Sequence, residues 1–491
     1  MKMVSQYHRA GSRISAARAA PAVLATLAVT AAAFADALAA QSYDRLSEET
    51  RAYVAVRGPT VALEHVRVID GTGGPALEDQ TVLLRDGRIA AVGPASSVSV
   101  PEDADRHDLG GHTVIPGMVG MHDHLFYTSV GGRRVQLGYS APRLYLGSGV
   151  TTIRTTGSFT PYADVHLKDA VDRGDSPGPR IHITAPYITG STGSPHQARM
   201  GSPEQARRFV EYWAEEGATW VKAYTSIGSA ELGAAIEEAH RLGLRVTGHL
   251  CSVSFQEAVA LGIDNLEHGM LTASDFVPEK EPDRCPGNIM QRAGGSDPTG
   301  PIARETIEAM VEAGVGLTAT LAVYEAFFPD RDVVDERTLE LMAPDLREAY
   351  LDERGRIQEI GPDPENFRNE LRFEKAFVDA GGLLAAGVDP TGNGGALPGF
   401  GNQRNFELLL EAGLSAVQAV QVVSANGAKI LGMDNELGTV EAGKVADLVV
   451  LNGDPGSDPS AIRAVRWVFK GGVGYDSRAL IQATRGLVGI R

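Results

Sequence analysis

Val114-Ile-Pro-Gly-Met-Val-Gly-Met-His-Asp-His124 is an apolar run that stops on two histidines one residue apart. A buried strand alternates its side chains between two faces, so His122 and His124 leave the end of this one on the same side. Two neutral imidazoles converging there suit zinc. An isolated His-x-His is common by chance, and its ordinary reading is an exposed polar turn, so the surrounding pattern decides. Short apolar runs recur at residues 113–121, 150–154, 180–185, 220–224, 245–249, 265–268, 317–322 and 383–388. The segments between them are helix-patterned, with apolar residues at i, i+3 and i+4 in 231–242 and 415–431. Strands separated by helices in this way predict an α/β fold, a closed (β/α)8 TIM barrel over residues 114–431.

In such a barrel chemistry gathers at the carboxyl ends of the strands. Lys222 lies in Trp220-Val-Lys-Ala-Tyr224, His249 ends Val246-Thr-Gly-His249, His268 ends Asn265-Leu-Glu-His268, and Asp389 ends Ala386-Gly-Val-Asp389. Singly, each reads as a satisfied core histidine or a surface polar group. Together with His122 and His124, five strands deliver four histidines, a lysine and an aspartate to one rim, a donor set for metal.

The ends of the chain have another texture. Residues 60–108 alternate in short runs around Asp86-Gly87, a hairpin signal. The same texture returns in 446–451 and 464–469. Residues 40–113 and 432–491 are expected to pair into one small β-sandwich with the barrel inserted between them. Two stretches break the barrel rhythm, 273–301, rich in Pro, Gly and Asp, and the polar helical 327–372. Both follow strands on the catalytic side, where insertions shape pockets.

Residues 1–39 read as a cleaved secretory signal: Lys2, Arg9, Arg13 and Arg18 precede an apolar run at 20–35 and the small-residue site Ala37-Leu-Ala39. The run is shorter than the ~20 residues a spanning helix needs. A periplasmic or secreted protein with no stable membrane anchor after cleavage is expected. The chain of 491 residues is 43% hydrophobic and 22% charged, which excludes global disorder. A net charge of −17 repels polyanions and argues against nucleic acid as a partner. A small-molecule substrate is expected instead, and a homo-oligomer is left open. Two cysteines, Cys251 and Cys285, lack the spacing of a zinc knuckle. One bridge between them is left open, with Cys251 otherwise read as a small buried hydrophobe.

The sequence resembles the amidohydrolase superfamily, in the branch with two metals and a carboxylated lysine, nearest its prolidase-like and imidazolonepropionase-like members. The resemblance rests on Pro116 to His124, Val-Lys-Ala-Tyr at Lys222, Gly-His at His249, Glu-His-Gly at His268 and Gly-Val-Asp at Asp389. Flanking stretches match too, Val68-Ile-Asp-Gly-Thr-Gly73 and Gly438-Thr-Val-Glu-Ala-Gly-Lys-Val-Ala-Asp-Leu448. It implies that His122, His124 and Asp389 hold one divalent metal, that His249 and His268 hold the other, and that Lys222 bridges them as a carbamate formed with CO2. A carbamate is an anionic oxygen donor where a free ammonium would repel a dication. Zinc is the expected ion. A metal-bridging hydroxide would attack the substrate, with Asp389 moving its proton to the leaving amine. Tyr224 shares strand parity with Lys222 and is placed to donate to a developing oxyanion. Deaminases of the superfamily carry a glutamate shortly after the fifth-strand histidine, but His249 is followed by Leu250-Cys-Ser-Val253.

Candidate substrate contacts are Tyr127, His196, Tyr324 and Arg404, the last as a bidentate partner for a carboxylate. Arg154 departs from the family pattern, since Thr155 stands where relatives show an aspartate that pairs with the arginine. Acids in 328–370 read as a solvated helical face. The resulting expectation is an exported amide hydrolase acting on a dipeptide or an N-acyl amino acid. The alternatives are a lactone, ester or phosphotriester hydrolase using the same site, and a non-catalytic binding barrel.

Overall fold

The computed structural model describes residues 41–391 and 395–489. The signal reading of residues 1–39 lies outside them. Among the described residues no helix is long and apolar enough to cross a membrane.

The eight apolar runs form parallel strands close to their expected bounds. Met118–Asp123, Val150–Thr155 and Arg180–His182 make a three-stranded sheet. Thr184–Thr189, Trp220–Ala223, Arg245–Gly248, Asn265–Glu267, Gly316–Ala319 and Leu384–Ala386 follow in order in a second parallel sheet, with the short Ala198–Arg199 at its edge. The run at 180–185 is thus shared between the sheets, its two halves separated at Ile183. At the other end the Asp389 N–H donates to the His122 carbonyl at 2.8 Å. Gly387 permits that approach, because a Cβ there would collide with the backbone of His122. Register keeps the chemistry level: Lys222 stands opposite Tyr187 on one side and Thr247 on the other.

The run at 113–121 does not remain one strand. His112–Pro116 enters a different, nine-stranded sheet, and Met118–Asp123 alone joins the parallel layer. Gly117 marks the crossing, where a Cβ would overlap the side chain of Thr151. In the nine-stranded sheet Leu448–Asn452 pairs antiparallel with His112–Pro116, Val450 facing Val114. Strands from both ends of the chain therefore share one sheet, over a core that includes Val61, Leu63, Val82, Leu84, Leu448 and Phe469.

The helices follow the sequence pattern with two changes. Ser229–Arg241 matches the periodic segment at 231–242, whereas 415–431 breaks into Ala416–Val423 and Ala425–Leu431. Ser424 takes φ −135° and ψ −81° between them, with its hydroxyl bonded back to the Val420 carbonyl at 2.6 Å. Back-bonding of this kind bends helices. The stretch 273–301 contains the helix Ile289–Gly294 and is tied by a Cys251–Cys285 disulfide, Cα atoms 4.8 Å apart. Cys251 is buried, as expected, but as half of a bridge.

The acids of 328–370 are not all solvated. Glu370, on the helix Glu365–Asp379, is fully buried beside Phe367 and Phe373, and its carboxylate accepts the Leu271 N–H at 2.9 Å. Glu374 is buried one turn on. Burial raises both carboxyls, and Glu370 raises Glu374 further. A carboxyl raised in the native state binds protons that the unfolded chain has released, so stability falls as pH climbs above the ordinary value near 4.5. Glu374→Met is expected to flatten that slope and raise stability at pH 8 by about 1–3 kcal/mol. Melting midpoints at pH 6 and pH 8 read it; equal slopes in both proteins would refute the pairing.

Candidate metal centre

Five strands and the turns that follow them assemble one cluster. His122 Nδ1 meets Glu267 Oε2 at 2.7 Å, which turns Nε2 toward Asp389 Oδ2 at 3.7 Å. His124 Nε2 lies 3.3 Å from Asp389 Oδ1. His268 Nδ1 bonds the Thr320 hydroxyl at 2.8 Å, leaving Nε2 for the interior. Its ring is 4.6 Å from that of His122 and 4.2 Å from that of His249. Lys222 Nζ is fully buried, 3.7 Å from Glu267 Oε1. The six residues singled out by strand-end position are therefore brought together. The tightest donor group is His122, His268 and Asp389, with donor atoms within 4.8 Å of one another. It draws from both expected ligand sets.

Backbone geometry explains how neighbouring residues serve one centre. His268 has φ +75° and Asp389 φ +45°, the left-handed region that costs a non-glycine residue energy. In a regular strand Glu267 and His268 would face opposite ways. The turn at His268 lets both point inward.

Glu267 is the residue sequence reasoning missed. Its carboxylate accepts from Arg154 Nη2 at 2.6 Å, from the Thr247 hydroxyl and from Asn265 Nδ2 at 3.4 Å, besides bonding His122. Arg154 therefore does have an acidic partner, supplied by the sixth run rather than by position 155. Its guanidinium also stacks 4.5 Å from the Trp220 ring. An acid inside an otherwise apolar strand, together with an arginine lacking its usual mate, was the available signal. Asp123 plays a similar supporting part: it accepts the Val388 N–H at 2.9 Å and Asn402 Nδ2 at 3.3 Å, fixing the eighth strand against the first.

Electrostatics put the donors in ligand form. Burial, then the Lys222 charge, lowers His249 to about 3 and His122 well below its usual value, and burial with the neighbouring imidazoles lowers His268. These imidazoles are neutral at pH 7, as metal ligands must be. Burial would raise Asp389, but His122, His124 and Lys222 hold it at about 2. Burial lowers Lys222 to about 8 against the pull of Glu267. His124 Nδ1, His268 Nε2 and Lys222 Nζ are buried without a hydrogen-bond partner among the described residues. Unpaired buried polar atoms are costly, and a bound metal cation would give such ring nitrogens a partner.

Aromatic rings wall the centre. Tyr224 lies 4.9 Å from the His249 ring and Tyr324 5.4 Å from that of His268, so both stand where the sequence put them. Tyr127 does not. It is fully buried in the core, and Phe126 is the ring stacked on His124 at 4.6 Å. Strand parity accounts for the exchange, since 124 and 126 share a face. His196 sits exposed in its loop, its N–H bonded to Ser194 Oγ at 3.3 Å. Arg404 is not open to a substrate carboxylate: Nε and Nη2 bind Glu325 at 2.9 and 2.7 Å, and Nη1 binds Glu407 at 2.6 Å.

Residues 113–473 match the model of the amidohydrolase family. An imidazolonepropionase from Stenotrophomonas maltophilia is 34% identical over 104 residues, 20% of this chain and 25% of that protein. The chain spans only 14% to 25% of the length of the first curated relatives it matches. Among solved structures, a candidate prolidase from Bifidobacterium longum is 26% identical with a TM-score of 0.61, covering 87% of this chain and 98% of that one. A Xaa-Pro dipeptidase solved with methionine in its active site shares the fold at 20% identity and a TM-score of 0.63, covering 85% and 100%. The matched span contains the whole parallel layer and every donor of the centre, and this chain belongs to the amidohydrolase family.

Proposed function

We propose that this chain hydrolyses the amide or peptide bond of a dipeptide or an N-acyl amino acid at a centre of two divalent metals. Zinc suits mixed imidazole and carboxylate donors, which also accept manganese, cobalt or iron. The observation that carries the proposal is the convergence of four imidazoles, Lys222 and Asp389 on one place, where His124 Nδ1, His268 Nε2 and Lys222 Nζ are buried without a hydrogen-bond partner among the described residues. The donors fit the metals. His122, His124 and Asp389 would hold one, His249 and His268 the other, and Lys222 as its CO2 carbamate would serve both.

Metals bound there supply Lewis acidity and hydroxide at neutral pH. The protein's own groups do the rest. Asp389, ionised at pH 7, accepts a proton and returns it to the leaving nitrogen. Tyr224 donates to the carbonyl oxygen as negative charge develops there. Glu267 fixes the tautomer and orientation of His122. Phe126, Tyr187 and Tyr324 line the approach and keep water from the reacting bond.

The same proposal takes the two parallel sheets as arcs of one closed (β/α)8 barrel over residues 114–431, with 40–113 and 432–491 as its smaller end domain. The bond from Asp389 to His122 across the gap supports closure. It also takes the protein as exported. The Cys251–Cys285 disulfide supports this, because such bridges persist in oxidising compartments. Mass spectrometry of the protein from its producing cells reads that part: a start near residue 40 with paired cysteines supports it, and an intact Met1 with free thiols overturns it.

The function is tested by giving the zinc-loaded protein a pooled library of dipeptides and N-acetyl amino acids and identifying products by mass. Release of free amino acids is expected. Two bound metals without any release would overturn the amide reading and favour lactones, esters and phosphotriesters.

A further inference from the structure

The arginine proposed from sequence for a substrate carboxylate is occupied, and the cations near the mouth of the centre are mostly occupied too. Arg133 pairs with Asp345 at 3.5 Å, Arg199 donates to the Gly193 carbonyl, and Arg404 is held by Glu325 and Glu407. Arg134 differs. It lies on the hairpin that follows His124, where Arg134–Gln136 pairs with Phe126–Thr128. Its side chain is exposed, and it makes no ion pair or side-chain hydrogen bond among the described residues. Its guanidinium rests 3.9 Å from the centroid of Phe159.

That ring belongs to the wall of the centre. Phe159 contacts Phe126 at 5.2 Å, and Phe126 stacks on His124 at 4.6 Å. On the other side Phe159 contacts Tyr187 at 5.0 Å, Tyr187 contacts Tyr224 at 5.3 Å, and Tyr224 contacts His249. The positive charge of Arg134 bears on the phenols of both tyrosines. A guanidinium lying on an aromatic face is held in place by cation–π attraction while its edge keeps N–H donors free for a bidentate anion.

We propose that Arg134 receives the free carboxylate of the substrate and so selects N-acyl amino acids and peptides whose carboxyl end is uncapped. The assignment rests on reading the centre as an amide hydrolase and adds the group that chooses among amides. On a chain with net charge −17, a positive group beside these rings would favour the approach of an anionic substrate.

The test compares the best-cleaved N-acetyl amino acid or dipeptide of the library with its C-terminal primary amide, in wild type, Arg134→Gln and Arg134→Lys, with metal content measured in each. Wild type is expected to favour the acid by roughly 100-fold in kcat/KM. In Arg134→Gln that preference collapses to a few-fold, chiefly through KM, and Arg134→Lys recovers part of it. Calorimetric binding of the released amino acid weakens at least about tenfold in Arg134→Gln. A wild type that cleaves both forms equally, or a variant that keeps the preference and the product affinity, overturns the role of Arg134 alone. A wild type that cleaves no amide of the library with metals bound overturns the amide reading and this assignment with it.

Discussion

Asp389→Asn lowers kcat for the released amino acid by about 10³–10⁴-fold, while the protein stays folded with an unchanged melting midpoint. The size follows from two tasks resting on one side chain. Asp389 faces His122 and His124 at 3.7 and 3.3 Å, and these neighbours with Lys222 keep its carboxyl near a pKa of 2. It is therefore an anion throughout the neutral range, able to hold a cation and to take a proton. Asparagine preserves shape and the left-handed turn at φ +45°, which asparagine tolerates, but removes the charge and the basic oxygen. Initial rates with metal analysis by plasma mass spectrometry separate the two tasks. Full metal content with lost turnover assigns proton transfer, and loss of metal assigns ligation. Retained turnover would remove Asp389 from the centre.

Glu267→Gln is the larger perturbation of the fold. The carboxylate is fully buried and is shared by His122, Arg154, Lys222, Thr247 and Asn265. Arg154 is equally buried, and its Nε and Nη1 already lack hydrogen-bond partners among the described residues. Removing the negative partner leaves a buried cation uncompensated, a loss of about 3–5 kcal/mol. The melting midpoint falls accordingly. The double variant Glu267→Gln/Arg154→Met recovers part of that loss, because the stranded charge goes as well. Metal affinity falls about 10–100-fold in Glu267→Gln, since His122 loses the bond that orients it. An unchanged melting midpoint would refute the linked role of this acid.

What could be read from sequence was whatever the chain encodes locally. His122, His124, Lys222, His249, His268 and Asp389 each close or occupy a short apolar run, so strand ends alone predicted their convergence. Glu267 was hidden because regular alternation points it away from His268, and only the positive φ at His268 turns both inward. The acid that pairs with Arg154 is not its neighbour in sequence but comes from another strand, 113 residues away. Phe126 was legible from parity with His124, yet the polar Tyr127 drew the assignment. Arg404 and Arg134 are alike as residues in a sequence. They differ in their neighbours, two carboxylates in one case and an aromatic face in the other. Glu370 read as solvated because its segment is rich in charge, but it falls on the helix face that carries Phe367 and Phe373.

The sheet shared by the two ends of the chain sets an order of assembly. Val114 and Val450 are register partners, yet more than 300 residues are synthesised between them. Until Leu448–Asn452 docks, His112–Pro116 has one edge unpaired, whereas each strand of the parallel layer needs mostly its near neighbours. Contacts that distant are slow to close and are made last. An edge left open in this way is exposed to aggregation and proteases until Leu448–Asn452 closes it.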